Sequence, residues 1–179
     1  MLAEWRFAPQ WRAVGAYYFN RITDLIATVT DPRDGLLVNV NEQSVMGRGL
    51  EAEIEGHTSF GLEVFAAATT QLGESPVGTP RTQLKGRLAQ AFADDRAVVA
   101  LESVYQSGRR TLAGTTIPAQ ALTNLVVTAA KLWAGWRFTA AIQNLFGASL
   151  ADPGGPEHRQ DRIPQPGLQF WLKVDFAFR

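Results

Sequence analysis

The sequence predicts an all-β fold, an antiparallel up-and-down meander of about eight or nine strands. The clearest strand is the last one, 168–178, where every even position is apolar and Gln169, Lys173 and Asp175 occupy odd positions. Alternation with a period of two indicates a strand with one apolar and one polar face. Similar alternating segments recur along the chain between Gly, Pro and Asp breakers, whereas helical periodicity is nearly absent.

The strands are predicted in chain order as a short N-terminal strand at 2–7, then longer strands at 11–27, 36–56, 61–71, 81–92, 96–106, 119–132, 136–143 and 168–178. We expect a kink or bulge in the 36–56 strand near Gly47 and Gly49, because glycine in a strand often marks one. The alternation in 119–132 is blurred, which indicates a second bulge there.

The connections alternate between short and long. Short ones fall at 8–10, 57–60, 93–95 and 133–135, and long ones fall at 28–35, 72–80, 107–118 and 147–167. Because alternate connections of a meander lie on the same rim, all tight turns share one rim and all long loops share the other. This asymmetry is typical of outer-membrane β-barrels, whose periplasmic turns are short and whose extracellular loops are long. We therefore expect the long loops to face the outside.

Aromatic residues lie toward both rims, as expected for the interfacial girdles of membrane-spanning strands. Those near the short-turn rim are Trp11, Phe60, Phe92, Trp133, Trp136 and Phe178, and those toward the long-loop rim are Tyr105, Phe146 and Phe170. The alternative explanation is the general preference of aromatic residues for strands.

Composition limits the function classes. The chain has 179 residues, enough for one domain, and its 17 basic residues balance 17 acidic ones, so no net charge recruits nucleic acid. It contains no cysteine, which excludes disulfides and thiolate chemistry. Neither a secretory signal pattern nor an apolar run long enough for a transmembrane helix is present. Without a phosphate-binding, hydrolase or zinc-protease motif, the sequence predicts no enzyme, no catalytic residue and no cofactor.

Two groups of residues are candidates for the functional surface. The predicted lumen-facing residues are Glu51, Glu53, Glu55, Arg81, Lys85, Arg87, Arg137, Lys173 and Asp175. The three glutamates are successively about 7 Å apart on one strand face, too far apart for a single metal ion, so we interpret them as a solvated wall. The predicted ligand-binding residues of the long loops are Arg109, Arg110, Glu157 and His158, because arginines attract anions and a histidine beside a carboxylate can hold a ligand. No metal site is predicted.

Five stretches carry a recognisable pattern. They are GRGLEAEIEG at 47–56, GTPRTQLKGRLA at 78–89, RRTLAGTTIPAQALTNLVVT at 109–128, AAIQNLFGASLADPGGPEHRQDRIPQPG at 140–167 and FWLKVDFAF at 170–178. Together they resemble the C-terminal part of the barrel of TonB-dependent outer-membrane receptors, with the NLF motif, DPGGPEH and the aromatic last strand as the most specific features. Two departures stand out: Arg179 follows the final aromatic residue, and Gly147 stands where the family commonly has Asp.

The resemblance implies that residues 1–179 are the C-terminal segment of such a barrel, which in the family has roughly 22 strands around a plug. The plug domain and the signal peptide would be absent from this chain. The implied function is TonB-dependent uptake of a scarce nutrient of the siderophore, metal-chelate or cobalamin class, in the outer membrane of a Gram-negative bacterium, by a fragment not competent alone. The implied partners are outer-membrane lipid, the missing N-terminal barrel and plug portion, and the TonB complex only through that missing region.

The isolated strands leave two sheet edges whose backbone groups lipid cannot satisfy. We predict an open or incompletely closed sheet, because charged polar-face residues suit a wide barrel and not a small, side-chain-filled one. The alternative is a soluble small up-and-down β-barrel that binds an apolar small molecule, with its apolar faces inward. Alternation alone does not distinguish the two, but the loop asymmetry and the aromatic ends favour the membrane.

Overall fold

The computed structural model describes residues 1–94, 96–130 and 135–177. Its strands are β1 (Leu2–Ala8), β2 (Trp11–Thr30), β3 (Leu37–His57), β4 (Leu62–Gln71), β5 (Thr82–Phe92), β6 (Ala97–Gln106), β7 (Arg109–Arg110), β8 (Thr116–Ile117), β9 (Gln120–Ala130), β10 (Trp136–Gln143), β11 (Ala151–Pro153), β12 (Arg162–Pro164) and β13 (Gln169–Phe176). No helix long and apolar enough to cross a membrane occurs in these ranges. The expectations for Trp133, Phe178 and Arg179 lie outside the described residues.

Nine strands form one sheet in the order β1-β2-β3-β4-β5-β6-β9-β10-β13, and all neighbours in it are antiparallel. The predicted all-β meander is therefore confirmed, with strand ends that differ from the prediction by a few residues. The four remaining strands form two small hairpins, β7–β8 and β11–β12, inside the loops 107–118 and 147–167. The sequence did not predict these hairpins, because strands of two or three residues are too short to show an alternating pattern.

The irregularity of the long β2–β3 pair lies away from the predicted position. The register continues unbroken past Gly47 and Gly49 and shifts instead around Leu25 in β2. Asp24 there has a φ of 58°, a left-handed conformation that Asp tolerates better than most residues. Gly49 serves close packing, because its cross-strand partner Tyr18 lies over it. The bulge expected in 119–132 is also wrong for the described residues, which end at Ala130, since β9 pairs with β6 and β10 in regular register.

The register sorts the side chains onto two faces that extend across the whole sheet. One row on the polar face runs from β2 to β9 through Ala16, Glu51, Thr69, Gln83, Gln106 and Gln120. On the apolar face, large side chains are between 37% and 66% exposed, among them Leu50, Leu84, Leu88, Leu101, Phe170 and Leu172. A continuous exposed apolar surface of this kind indicates a contact surface for lipid or protein.

The polar face is the more enclosed of the two. The buried alanines Ala89, Ala100 and Ala141 all lie on this face by register, and three cavities are lined mainly by its residues. Side chains crowd together on the inside of a curved sheet and spread apart on the outside. The polar face is therefore the concave side and the apolar face the convex side.

The sheet is not closed. β1 and β13 are its two edges, and within the described ranges each is paired on one side only. The backbone N–H and C=O groups on the outer edges of β1 and β13 have no hydrogen-bonded partner strand within the described residues. Further strands could pair with these edges. The predicted open form of the meander is thus confirmed.

Candidate functional site

The candidate site has two parts: the concave polar face and the two long loops 107–118 and 147–167 at one rim of the sheet. The register places eight of the nine predicted lumen-facing residues, all except Arg81, on this one face. Glu51, Glu53 and Glu55 on β3 share a face with Lys85 and Arg87 on β5. On the same face, Arg137 of β10 lies opposite Asp175 of β13, and Lys173 is two residues before Asp175. Arg81 precedes β5 and donates from Nη2 to the carbonyl oxygen of Gly73 at 2.9 Å.

Two of the three predicted wall glutamates, Glu53 and Glu55, are held by an arginine that the sequence prediction missed. Arg12 on β2 lies 3.2 Å from Glu53, 2.9 Å from Glu55 and 4.0 Å from Glu4 on β1. These side chains are about one-third or more exposed, so each pair contributes little stability by itself. Arg12 contacts these glutamates because the β2–β3 register places it opposite Glu55. The sequence of β2 did not determine that register, so the contact could not be predicted.

Arg87 occupies the same role on the neighbouring strands. It lies 3.5 Å from Glu63 on β4 and 3.4 Å from Glu102 on β6. On β13, Lys173 and Asp175 pair with each other at 2.8 Å. Residues of opposite charge therefore alternate across the concave face. Such a surface is solvated and differs from an apolar core.

The loops 107–118 and 147–167, called the paired loops below, are joined by Arg109. This residue is only 8% exposed, and its Nη2 donates to Asp152 Oδ1 and to the carbonyl oxygen of Ala151, both at 3.0 Å. Gln120 at the start of β9 adds two bonds to the backbone of Ala151, at 2.8 and 2.7 Å. Arg109 is therefore engaged in holding the two loops together, whereas its neighbour Arg110 is exposed.

Asp161 makes a second connection between the paired loops. Its carboxylate accepts hydrogen bonds from the Thr115 hydroxyl and from the backbone N–H of Ala113. Hydrogen bonds from Thr111 and Thr115, together with the Ala113 N–H and the charge of Arg162, lower the pKa of Asp161 below its usual value of 3.8, against a smaller opposing effect of burial. These contacts favour the ionised form, so the connection is strongest when Asp161 is charged.

The NLF motif owes its structural role to Asn144. It is 2% exposed and has a φ of 52°, a conformation that few residues other than Gly and Asn adopt easily. Its side-chain amide accepts from the N–H of Ala148 and donates to the carbonyl oxygen of the same residue, both at 2.8 Å. Asn144 therefore closes the turn that leads from β10 into the loop 147–167.

Glu157 and His158 are brought together at the exposed tip of this loop. Oε1 of Glu157 lies 3.0 Å from Nδ1 of His158, and the backbone N–H of Gly155 donates to the same Nδ1 at 3.3 Å. No group of three or more potential metal-binding side chains forms within 1–94, 96–130 and 135–177. The role of Arg110, Glu157 and His158 in ligand binding stays a prediction.

Comparison with known proteins identifies the class of protein. Residues 3–145 match the family described as TonB dependent receptor-like, beta-barrel. This chain therefore belongs to the TonB-dependent receptor β-barrel family, and the predicted membership, the C-terminal barrel portion of such a receptor, is confirmed. No curated protein matches the sequence.

Solved receptor structures share the fold at low sequence identity. A ferric enterobactin receptor (PfeA) from Pseudomonas aeruginosa superimposes with a TM-score of 0.76 at 17% identity, over 96% of this chain and 29% of that one. The FrpB iron transporter from Neisseria meningitidis gives 0.73 at 15% identity, over 96% and 30%. The ferric-catecholate import receptor Fiu from E. coli gives 0.72 at 14% identity, over 98% and 26%. The chain thus spans less than a third of the length of these receptors.

Proposed function

We propose that this chain is a wall segment of an outer-membrane uptake barrel that works with TonB to import a scarce nutrient of the siderophore, metal-chelate or cobalamin class. It is a receptor segment and not an enzyme. The observation that carries the proposal is the separation of an exposed apolar convex face from a charged concave face across nine adjacent strands. In a soluble barrel with an apolar ligand inside, the large apolar side chains would lie on the concave face.

The convex face has the features of a lipid-facing surface. Aromatic rings meet at the short-turn rim near both ends of the sheet: Phe7 and Trp11 lie 6.2 Å apart between ring centroids, and Trp136 and Phe176 lie 4.7 Å apart. Aromatic residues at this level act as interfacial anchors in membrane barrels. With this rim on the periplasmic side, the paired loops face the outside, where a ligand arrives.

The concave face then faces the lumen. Glu51, Glu53 and Glu55 with the Arg and Lys residues of β5, β10 and β13 form its charged wall, and Arg110, Glu157 and His158 are the loop groups that contact ligand. Arg109 contributes by positioning the loops.

Residues 1–179 act as the C-terminal barrel segment, and the N-terminal barrel and plug portion of such a receptor completes the pore and contacts the TonB complex. Outer-membrane lipid of a Gram-negative bacterium surrounds the assembly. The chain alone is not a competent transporter, because an open sheet encloses no pore.

Insertion into lipid vesicles tests the proposed orientation. Leu88→Arg places a charge on the convex face in the middle of β5, where it should destabilise the inserted form by about 2–4 kcal/mol. Gln83→Arg on the concave face of the same strand is the matched control and should insert like the unmodified chain. Protease protection in vesicles gives the inserted fraction. Equal insertion of both variants, or a monodisperse chain in buffer without detergent, would refute the proposal.

A further inference from the structure

Two arginines interrupt the apolar convex face at its long-loop end. On β3, Arg48 continues the face of Leu50, and on β2, Arg21 lies on the same face opposite Met46. Every other charged residue whose face the pairing of the described strands determines lies on the concave side. Arginine on a lipid-facing surface is unfavourable at the membrane centre and tolerated near the interface. The position of this pair therefore indicates a specific partner at the interface.

The two arginines are close together and available. Phe19 lies opposite Arg48, so Arg21 is the diagonal neighbour of Arg48, about 7–8 Å away. Nε of Arg48 donates to the carbonyl oxygen of Leu72 at 3.4 Å, and its two terminal amino groups form no bond with the described part of the chain. Arg21 forms no hydrogen bond or ion pair there, and both side chains are exposed. Two guanidinium groups at this separation can bind one phosphate group between them.

The surface next to this pair, on the side of the sheet centre, is apolar. Phe19 and Leu72 flank Arg48 on the neighbouring strands, and the next row toward the centre contains Tyr17 and Leu50. All four of these apolar or aromatic side chains are at least 39% exposed. Paired cations beside an exposed apolar surface match a ligand that joins an anionic headgroup to hydrocarbon chains. A free anion would use the cations alone.

The position of the pair along β2 agrees with the thickness of a membrane. Phe19, in the row of Arg48, is eight residues from Trp11 at the short-turn rim. Eight residues span about 26 Å of strand, or about 20 Å of height at the tilt of about 40° that membrane barrels have. The apolar band of such barrels is about 25 Å tall, and long arginine side chains extend their charged ends toward the headgroups. The pair therefore reaches the headgroup level of the leaflet on the long-loop side.

We propose that Arg21 and Arg48 form a docking site for the phosphate-bearing headgroup of an anionic lipid in the outer leaflet. The acyl chains of that lipid lie over Phe19, Leu50 and Leu72. Basic residues at the membrane surface attract anionic lipid by charge, which gives the site its selectivity. The inference rests on the proposed orientation of the barrel wall and goes beyond it, because it assigns one class of lipid to one place on the convex face.

The test is lipid titration of the full chain, folded in a nonionic detergent, with bound lipid counted by native mass spectrometry. Phosphatidic acid is the anionic probe, and phosphatidylcholine with the same acyl chains is the zwitterionic comparison. Inorganic phosphate, added as a competitor, distinguishes a free-anion site from a lipid site. Arg21→Gln and Arg48→Gln each remove one cation. Arg33→Gln is the matched control, because it removes the same charge from the exposed turn between β2 and β3.

We expect phosphatidic acid to bind more tightly than phosphatidylcholine. Each substitution at the site should weaken the binding of phosphatidic acid about fivefold, the effect of one basic residue at a lipid surface. Arg33→Gln should leave it unchanged. Arg48→Lys should keep most of the affinity, since it preserves the charge, and it separates loss of the cation from a general disturbance of the β2–β3 pair.

Three results would overturn the inference: equal affinity for the two lipids, an equal loss in Arg33→Gln, or displacement of the lipid by inorganic phosphate at the lipid's own concentration. If Leu88→Arg impairs insertion as expected while the two lipids bind equally, the docking site fails alone. If the unmodified chain does not enter vesicles, the proposed barrel function fails together with it.

Discussion

Replacing Arg109 by Met should release the paired loops from each other without unfolding the sheet. The substitution removes the hydrogen bonds to Ala151 and Asp152, both at 3.0 Å. The Asp152 side chain is 52% exposed, so that pair is screened and contributes about 1 kcal/mol at most. The bond to the Ala151 carbonyl oxygen comes from a charged donor and contributes about 1.5 kcal/mol. That oxygen keeps a second donor, Nε2 of Gln120 at 2.8 Å, so it is not left unsatisfied.

The sum, about 1.5–2.5 kcal/mol, corresponds to a roughly 10- to 70-fold increase in the population of the open loops. Hydrogen exchange measured by mass spectrometry on the chain in micelles should detect it in peptides that cover 109–117 and 151–164. Arg110→Met is the control, because this exposed side chain forms no hydrogen bond with the described residues. Faster exchange in only one of the two loops, or equal changes in the central strands, would contradict this account of the contact.

Three further perturbations test other parts of the structure. The pKa of Asp161 is lowered in the folded chain, so its contact with the loop 107–118 should be fully present above pH 3.8 and lost as the pH falls through the pKa of the folded state. Asp161→Asn should remove this pH dependence of hydrogen exchange in the paired loops. Gly49→Ala should lower the unfolding free energy in urea by about 1–3 kcal/mol, because the added Cβ collides with the Tyr18 ring, whereas Gly47→Ala, with open space around its Cα, should not. Asn144→Ala should destabilise the chain by about 2–4 kcal/mol in the same assay, through three lost side-chain bonds and a strained φ, and Asn144→Gly should recover the strain component alone.

The strands were predictable because each extends over enough residues to show its period. β5 and β13 alternate cleanly, and the structure places their apolar and polar residues on opposite faces as the sequence indicates. The order of strands followed from the loops, since short connections can join only neighbouring antiparallel strands. The bulge of the β2–β3 pair was predicted at the wrong position because the glycines at 47 and 49 indicated a bulge more strongly than Asp24 did. In the structure Asp24 has the positive φ and lies at the register shift.

The contacts of the loops were not predictable in the same way. Arg109 and Arg110 are adjacent and chemically identical in the sequence, yet one is 8% exposed and bonded to a distant loop while the other is exposed. Arg12 gave no signal as the partner of Glu53 and Glu55, because the register of β2 against β3 determines that contact.

The sequence by itself determined the fold class, the positions of the nine strands of the main sheet, the two rims and the two chemically different faces, because a strand's period and a turn's composition are local properties. The tertiary structure alone decided that Arg12 pairs with Glu53 and Glu55, and which arginine of the pair at 109–110 holds the loops. Those features depend on the register and curvature that join residues distant along the chain, and a local pattern carries no information about either.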